Sequence, residues 1–218
     1  MSTPHYDLGD WFSNNIPSWQ SWLGHLVGKP NLRALEIGSC EGRSVLWLMD
    51  NVLTDPTCEL DCVDPFEGAG WADSGIAATY APLETAFRNF RGNIEQYGNR
   101  VTHYRMRSDA FLRDRIQPEW FLPEDFGKPV YDFVYIDGSH LASDVLSDSV
   151  LSWPLLKPGG TLIWDDYRWC EAGMELEDCP QPAINAFLSA HRKKLVRIPD
   201  ALGAANPGWQ VCVRKVSP

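Results

Sequence analysis

From residue 33 onward, short runs of apolar and β-branched residues alternate with longer stretches in which apolar positions recur every three or four residues. The short runs have the length of buried strands, and the longer stretches have the period of helices. The pattern predicts strands at Arg33–Ile37, Glu59–Val63, Val101–Met106, Tyr131–Ile136 and Thr161–Trp164. Between them it predicts helices at Ser44–Leu53, Pro82–Tyr97, Asp109–Ile116 and Leu141–Leu151, the last with Leu141, Val145 and Leu151 on its core face. A helix at Pro182–His191 follows, and then strands at Leu195–Ile198 and Trp209–Lys215, separated by a stretch with Gly and Pro that suits a hairpin-like return. Alternating strands and helices build a mostly parallel sheet covered on both faces. The expected fold is therefore a doubly wound α/β domain with a seven-stranded sheet ending in an antiparallel pair.

Ahead of the first strand, Trp11, Trp19, Trp22, Leu23 and Leu26 can share one face of a leading helix, interrupted by Pro17. Residues 1–30 are thus expected to form a helical cap or lid on a main domain spanning 31–218. Such a segment can cap the sheet, cover a ligand or pair two subunits, so a homo-oligomer is among the expected assemblies. Two long loops are predicted, Pro65–Ala81 around Trp71 and Gln117–Val130 with Trp120 and Phe121. Loops of that length in a compact domain are often functional. Trp71, Trp120 and Phe121, with Tyr167, are candidates to wall an aromatic or partly apolar substrate; ordinary core packing remains an equal alternative for each.

A length of 218 residues suits one domain. The 29 acidic against 19 basic residues give a net charge of -10, which repels a polyanion and argues against nucleic acid as a partner. The basic run His191-Arg192-Lys193-Lys194 falls at a predicted helix end, where it favours the helix dipole. No secretory signature opens the chain, and no apolar run reaches the roughly 20 residues of a membrane span, so a cytoplasmic protein without membrane contact is expected. Six cysteines without a CxxC pair indicate neither zinc nor a redox motif, and reduced thiols are the expectation.

The first predicted strand leads into Glu36-Ile37-Gly38-Ser39-Cys40-Glu41-Gly42-Arg43-Ser44. Two glycines there permit a tight turn and close approach of a ligand to a helix N-terminus. The G-x-G-x-x-G spacing of a dinucleotide fingerprint is absent, which weakens a dehydrogenase reading. Asp64 follows at the end of the second strand, where an acid can accept hydrogen bonds from both ribose hydroxyls of a nucleoside; a turn or helix cap is the alternative.

Leu35–Ser44, Asp64-Pro65, Tyr131–His140 and Leu156–Tyr167, in that order and spacing, resemble the class I S-adenosylmethionine-dependent methyltransferases, which have a Rossmann-like fold. The resemblance covers about residues 30–216 and includes the terminal antiparallel strands. It implies that Glu36 and Gly38 face the methionine moiety of the donor, that Ser44 holds its carboxylate, that Asp64 binds the ribose, and that Ser39, Gly42 and Asp137 also border the cofactor. It also places Ser108 and Asp109 near the adenine, although Asp109 is equally suited to cap the helix beside it.

The fourth strand ends in Asp137-Gly138-Ser139-His140 and the fifth in Asp165-Asp166-Tyr167, so three carboxylates gather at one sheet edge. Like charges packed together are costly unless protonated, paired or bound to a cation, and a hard divalent ion such as Mg2+ suits oxygen ligands. The pattern is similar to metal-dependent O-methyltransferases of the catechol type and of the sugar and natural-product branch. That resemblance implies Asp137, Asp165 and Asp166 as ligands of an ion that grips the oxygens of a small-molecule hydroxyl substrate. The paired acids lean towards the natural-product branch, since catechol-type relatives commonly carry asparagine at the place of Asp166. His140 stands where catechol-type enzymes carry a lysine base, and histidine can take a proton near neutral pH. Its alternative is a helix N-terminal residue bonded to a neighbouring carboxylate. Three competing readings remain: a metal-independent methyltransferase, an NAD-binding oxidoreductase, and a non-catalytic binding module on the same fold.

Overall fold

The computed structural model of the chain describes residues 3–67, 83–116, 128–170, 173–205 and 207–217. Seven strands form one sheet: β1 (Arg33–Ile37), β2 (Glu59–Val63), β3 (Val101–Tyr104), β4 (Tyr131–Ile136), β5 (Leu156–Trp164), β6 (Leu195–Ile198) and β7 (Val211–Lys215). Their spatial order is β3-β2-β1-β4-β5-β7-β6. The first five run parallel, and β7 pairs antiparallel with both β5 and β6. Among the described residues, six α-helices cover the sheet: α1 (Ile16–Leu23), α2 (Arg43–Asn51), α3 (Leu83–Ile94), α4 (Ser108–Ile116), α5 (Ala142–Ser152) and α6 (Pro180–Ala190).

Alternating strand residues feed two separate cores, as side chains of a pleated strand must. Ala34, Phe133 and Ile163 join Trp19, Trp22, Leu48 and Phe90 on the α1–α3 side. Their neighbours Leu35, Val134 and Leu162 join Leu112, Val145, Ile184 and Phe187 on the α4–α6 side. The central strands β1, β2 and β4 are largely buried on both faces, which is why they read as mostly apolar runs, whereas β3 and β6 at the sheet edges are more exposed. Trp19 is the hub of the first core, its ring centroid 4.7 Å from that of Tyr135 and 4.9 Å from that of Phe12.

Several expectations shift. Pro17 lies in the first turn of α1 and so begins that helix instead of interrupting it, because a first-turn residue needs no N–H partner. Trp11 precedes the helix and is half-exposed. Leu141 caps α5 with an extended backbone, leaving its side chain out of the helical stripe and exposed. β5 reaches back through Lys157-Pro158-Gly159-Gly160 to Leu156, with a register shift opposite β4 between Tyr131 and Phe133. The expectation of reduced thiols fails at one pair: Cys170 and Cys179 form a disulfide across nine residues, because the chain after β5 folds back onto the N-cap of α6. That spacing lies outside the CxxC pattern. The other four cysteines are free. Among the described residues, no helix is long and apolar enough to cross a membrane. Trp71, Trp120 and Phe121 lie outside the described residues.

Candidate active site

The strand order reverses between β1 and β4, and ligands of open α/β sheets bind beyond the carboxyl ends of the strands at such a point. Here the loops after β1 and β4 touch. Asp137 donates its N–H to Ile37 O at 2.8 Å, and a Cβ built on Gly38 would lie 1.9 Å from Asp137 O. Gly38 also has a φ of 83°, so glycine is required there on both counts.

The first half of the site is the turn from Gly38 to Gly42, which opens α2. Asp64, at the end of β2, braces it. One carboxylate oxygen accepts from Ser39 N at 2.9 Å and Cys40 N at 3.0 Å, and the other accepts from Phe66 N at 2.7 Å. Beneath the turn, Glu36 is fully buried and accepts from the Ser44 hydroxyl at 2.6 Å. Its second oxygen has no partner among the described residues. Burial pushes the Glu36 carboxyl up to about 8, with Ser44 opposing and the Asp64 charge adding to the rise. Glu41, inside the same turn, is also buried, and its carboxylate accepts from Asp7 N at 2.8 Å, Leu8 N at 2.9 Å and the Asn89 amide at 2.7 Å. These bonds lay the N-terminal segment across the turn.

Ser108 and Asp109 open α4. Asp109 is engaged by Arg107 at 3.2 Å and Arg113 at 3.1 Å, and Ser108 bonds the buried Asp148, whose own carboxyl is raised by burial to about 7.

The second half of the site gathers carboxylates from β4 and β5. Asp137, His140 and Asp166 each offer one ligand atom, and these atoms lie within 4.8 Å of one another. His140 Nε2 is 2.8 Å from Asp166 Oδ2, and Trp169 packs edge-on against the imidazole with centroids 4.4 Å apart. The Asp137 carboxyl is held well above the usual carboxylate range, by burial first and then by the charges of Asp165 and Asp166. Asp165, expected in the same set, is turned inward. Its Oδ2 accepts from the Tyr135 hydroxyl, from Gln210 Nε2 at 2.8 Å and from Asn15 Nδ2 at 3.4 Å, while Oδ1 accepts from Asp166 N at 2.8 Å. The arrangement thus brings together Asp137, Asp166 and His140, and sets Asp165 behind them. Tyr135, Gln210, Trp169 and Glu41 carry much of the geometry without having been singled out by sequence; only Glu41, lying in the glycine turn, gave a local signal.

The sequence model of a family described as "Methyltransferase domain" matches residues 35–167, a stretch that contains the glycine turn, Asp64 and the Asp137–His140 loop. The chain belongs to that family. The match covers most of the chain and settles the resemblance to class I S-adenosylmethionine-dependent methyltransferases. No curated protein matches the methyltransferase by sequence. Solved structures share its fold at low identity. An O-methyltransferase from Bacillus cereus in complex with SAH is 17% identical, with 97% of this chain and 84% of that chain covered and a TM-score of 0.56. The O-methyltransferase TomG from Streptomyces achromogenes, involved in tomaymycin synthesis and in complex with SAM, is 13% identical over 96% and 82%, with a TM-score of 0.58. MycE methyltransferase of the mycinamycin biosynthetic pathway, in complex with Mg, SAH and mycinamycin VI, is 16% identical over 98% of this chain and 51% of that chain, with a TM-score of 0.56.

Proposed function

We propose that this methyltransferase moves a methyl group from S-adenosylmethionine to a hydroxyl of a small molecule, with a divalent cation held by Asp137 and Asp166. The grouping of Asp137, His140 and Asp166 at the sheet edge beside the glycine turn carries the reading. Two carboxylates are hard oxygen donors suited to Mg2+ or Mn2+, and a cation offsets the burial and the neighbouring acid charges that raise the Asp137 carboxyl. The unpartnered buried oxygen of Glu36 supports a polar ligand at the glycine turn. O-Methylation is described for two of the structures that share the fold, and Mg for a third.

When bound, the donor supplies an electrophilic methyl group, and the cation supplies positive charge against the acceptor oxygens. The chain's residues do the rest. Glu36, Gly38, Ser39, Gly42 and Ser44 receive the methionine end of the donor, and Asp64, which accepts three backbone N–H bonds in bracing the turn, keeps one lone pair on Oδ1 for a ribose hydroxyl. Ser108 and Asp109 stand at the adenine side. His140, oriented by Asp166, removes the acceptor's hydroxyl proton as the methyl group transfers in line. A second reading makes His140 the third ligand, because its Nε2 lies within the same 4.8 Å group.

Titration of S-adenosylhomocysteine by calorimetry, with and without Mg2+, tests the core of the proposal. The parent is expected to bind, and Asp64→Ala to weaken binding at least tenfold, since hydrogen bonds to a charged group contribute about 1.5–3 kcal/mol. A screen of vicinal diols and catechols is expected to yield methyl ethers in Mg2+ and none in excess EDTA. Absence of donor binding overturns the reading, and full turnover in EDTA removes the cation from it. His140→Ala that keeps Mn2+ affinity and loses turnover favours the base, whereas loss of both favours the ligand.

A further inference from the structure

Asp165 and Asp166 are adjacent acids at the end of one strand, yet only Asp166 reaches the His140 group. What separates them is a set of buried amides contributed by distant parts of the chain. Gln210 is buried immediately before β7, whose Val211 pairs with Trp164 next to Asp165. The Trp19 indole N–H, a donor only, bonds Gln210 Oε1 at 2.9 Å and so fixes the amide with its Nε2 towards Asp165. Gln210 Nε2 donates to Oδ2 at 2.8 Å, Asn15 Nδ2 lies 3.4 Å from it, and the single hydroxyl proton of Tyr135 is shared between this oxygen and Asp137 Oδ2 at 2.9 Å, so these bonds hold the Asp165 carboxylate behind the His140 group. Oδ1 accepts from the backbone of Asp166, which sits at a φ of 56°. A left-handed backbone is disfavoured for a residue with a Cβ and persists only when its surroundings fix it. Tyr167 N, bonded to Trp209 O at 2.8 Å, pins the other side of the turn to the residue beside Gln210.

We propose that Gln210 is a positioning residue for the cation site: with Trp19 and Asn15 it holds Asp165 out of the ligand set, and through Asp165 it fixes the turn that presents Asp166. This rests on the cation reading above. It also reassigns Asp165 from ligand to brace. Partners behind the ligands of a metal are typically worth about 10–100-fold in affinity.

The test is Mn2+ binding by the full chain, with affinity from calorimetry and the number of Mn2+-bound waters from proton relaxation. Gln210→Met, which keeps the volume and removes the amide, is expected to weaken binding at least tenfold with the water count unchanged. Asp165→Ala is expected to behave the same way, and Asp166→Ala to add a bound water as a lost ligand must. Should Gln210→Met fail to fold, Asp165→Ala and the peripheral Asn15→Ala, the latter expected to weaken binding two- to threefold, decide the matter. Wild-type affinity in folded Gln210→Met or, failing that, in Asn15→Ala and Asp165→Ala overturns the role of the bracket. An added water in Asp165→Ala makes Asp165 a ligand and overturns it too. No Mn2+ binding by the parent instead overturns the cation reading, and the positioning role falls with it.

Discussion

Replacing Glu36 with glutamine removes a buried ionisable group and leaves its shape and its bond from Ser44 in place. In the unfolded chain a glutamate loses its proton near 4.5, whereas burial keeps Glu36 protonated up to about 8. Between these values the unfolded state binds fewer protons than the native state, so stability falls as pH rises, by about 1.4 kcal/mol per unit. Below 4.5 both states hold the proton and the effect vanishes; above about 8 it is complete. Over the full window the native state loses up to about 5 kcal/mol relative to a chain without this group. Urea unfolding of the donor-free protein and of Glu36→Gln at pH 5, 6.5 and 8 reads the difference, since titrating groups that do not interact with Glu36 cancel. The variant should match the parent near pH 5 and exceed it increasingly towards pH 8. Two stability curves that stay parallel across the window would refute the burial argument and mean that Glu36 ionises normally within the fold.

Gly38→Ala should destabilise the chain by on the order of 4 kcal/mol or more, since its Cβ has no room against Asp137 and its φ is left-handed; thermal unfolding measures this, and a near-native Tm would show that the two loops can part. Glu41→Gln leaves one acceptor for the N–H groups of Asp7, Leu8 and Asn89, so residues 5–10 should lose hydrogen-exchange protection by about 2 kcal/mol while the sheet keeps its own. Protection unchanged at Asp7 and Leu8 would contradict the clasp.

The sheet was legible because its central strands are buried on both sides and so carry mostly apolar residues, Leu60, Cys62 and Val63 among them. The edge that holds the acids followed from strand order alone. Which way each acid points did not. Asp165 and Asp166 are the same residue type in succession, and their division of labour is decided by Gln210 and Asn15, far away in sequence, and by one left-handed backbone angle. Leu141 was misplaced because a helix boundary one residue off moves a side chain out of the apolar stripe. The Cys170–Cys179 bond was missed because nothing local announces that a loop returns to a helix cap. The Glu41 clasp was invisible for a related reason: its partners are backbone N–H groups, which every sequence has.

The contact between Gly38 and Asp137 welds the glycine turn to the loop after β4, which on the proposed function receive donor and acceptor respectively. On that reading, mutating the Asp137–His140 loop to accept new substrates disturbs the seat of the donor in the same stroke. The stretch from Tyr167 to Cys170 has no such bond to the donor turn. It hangs from β5 and is fastened at its far end by the link from Cys170 to Cys179. On the same reading, libraries aimed at substrate scope belong in that stretch, with Trp169 kept because it packs against His140.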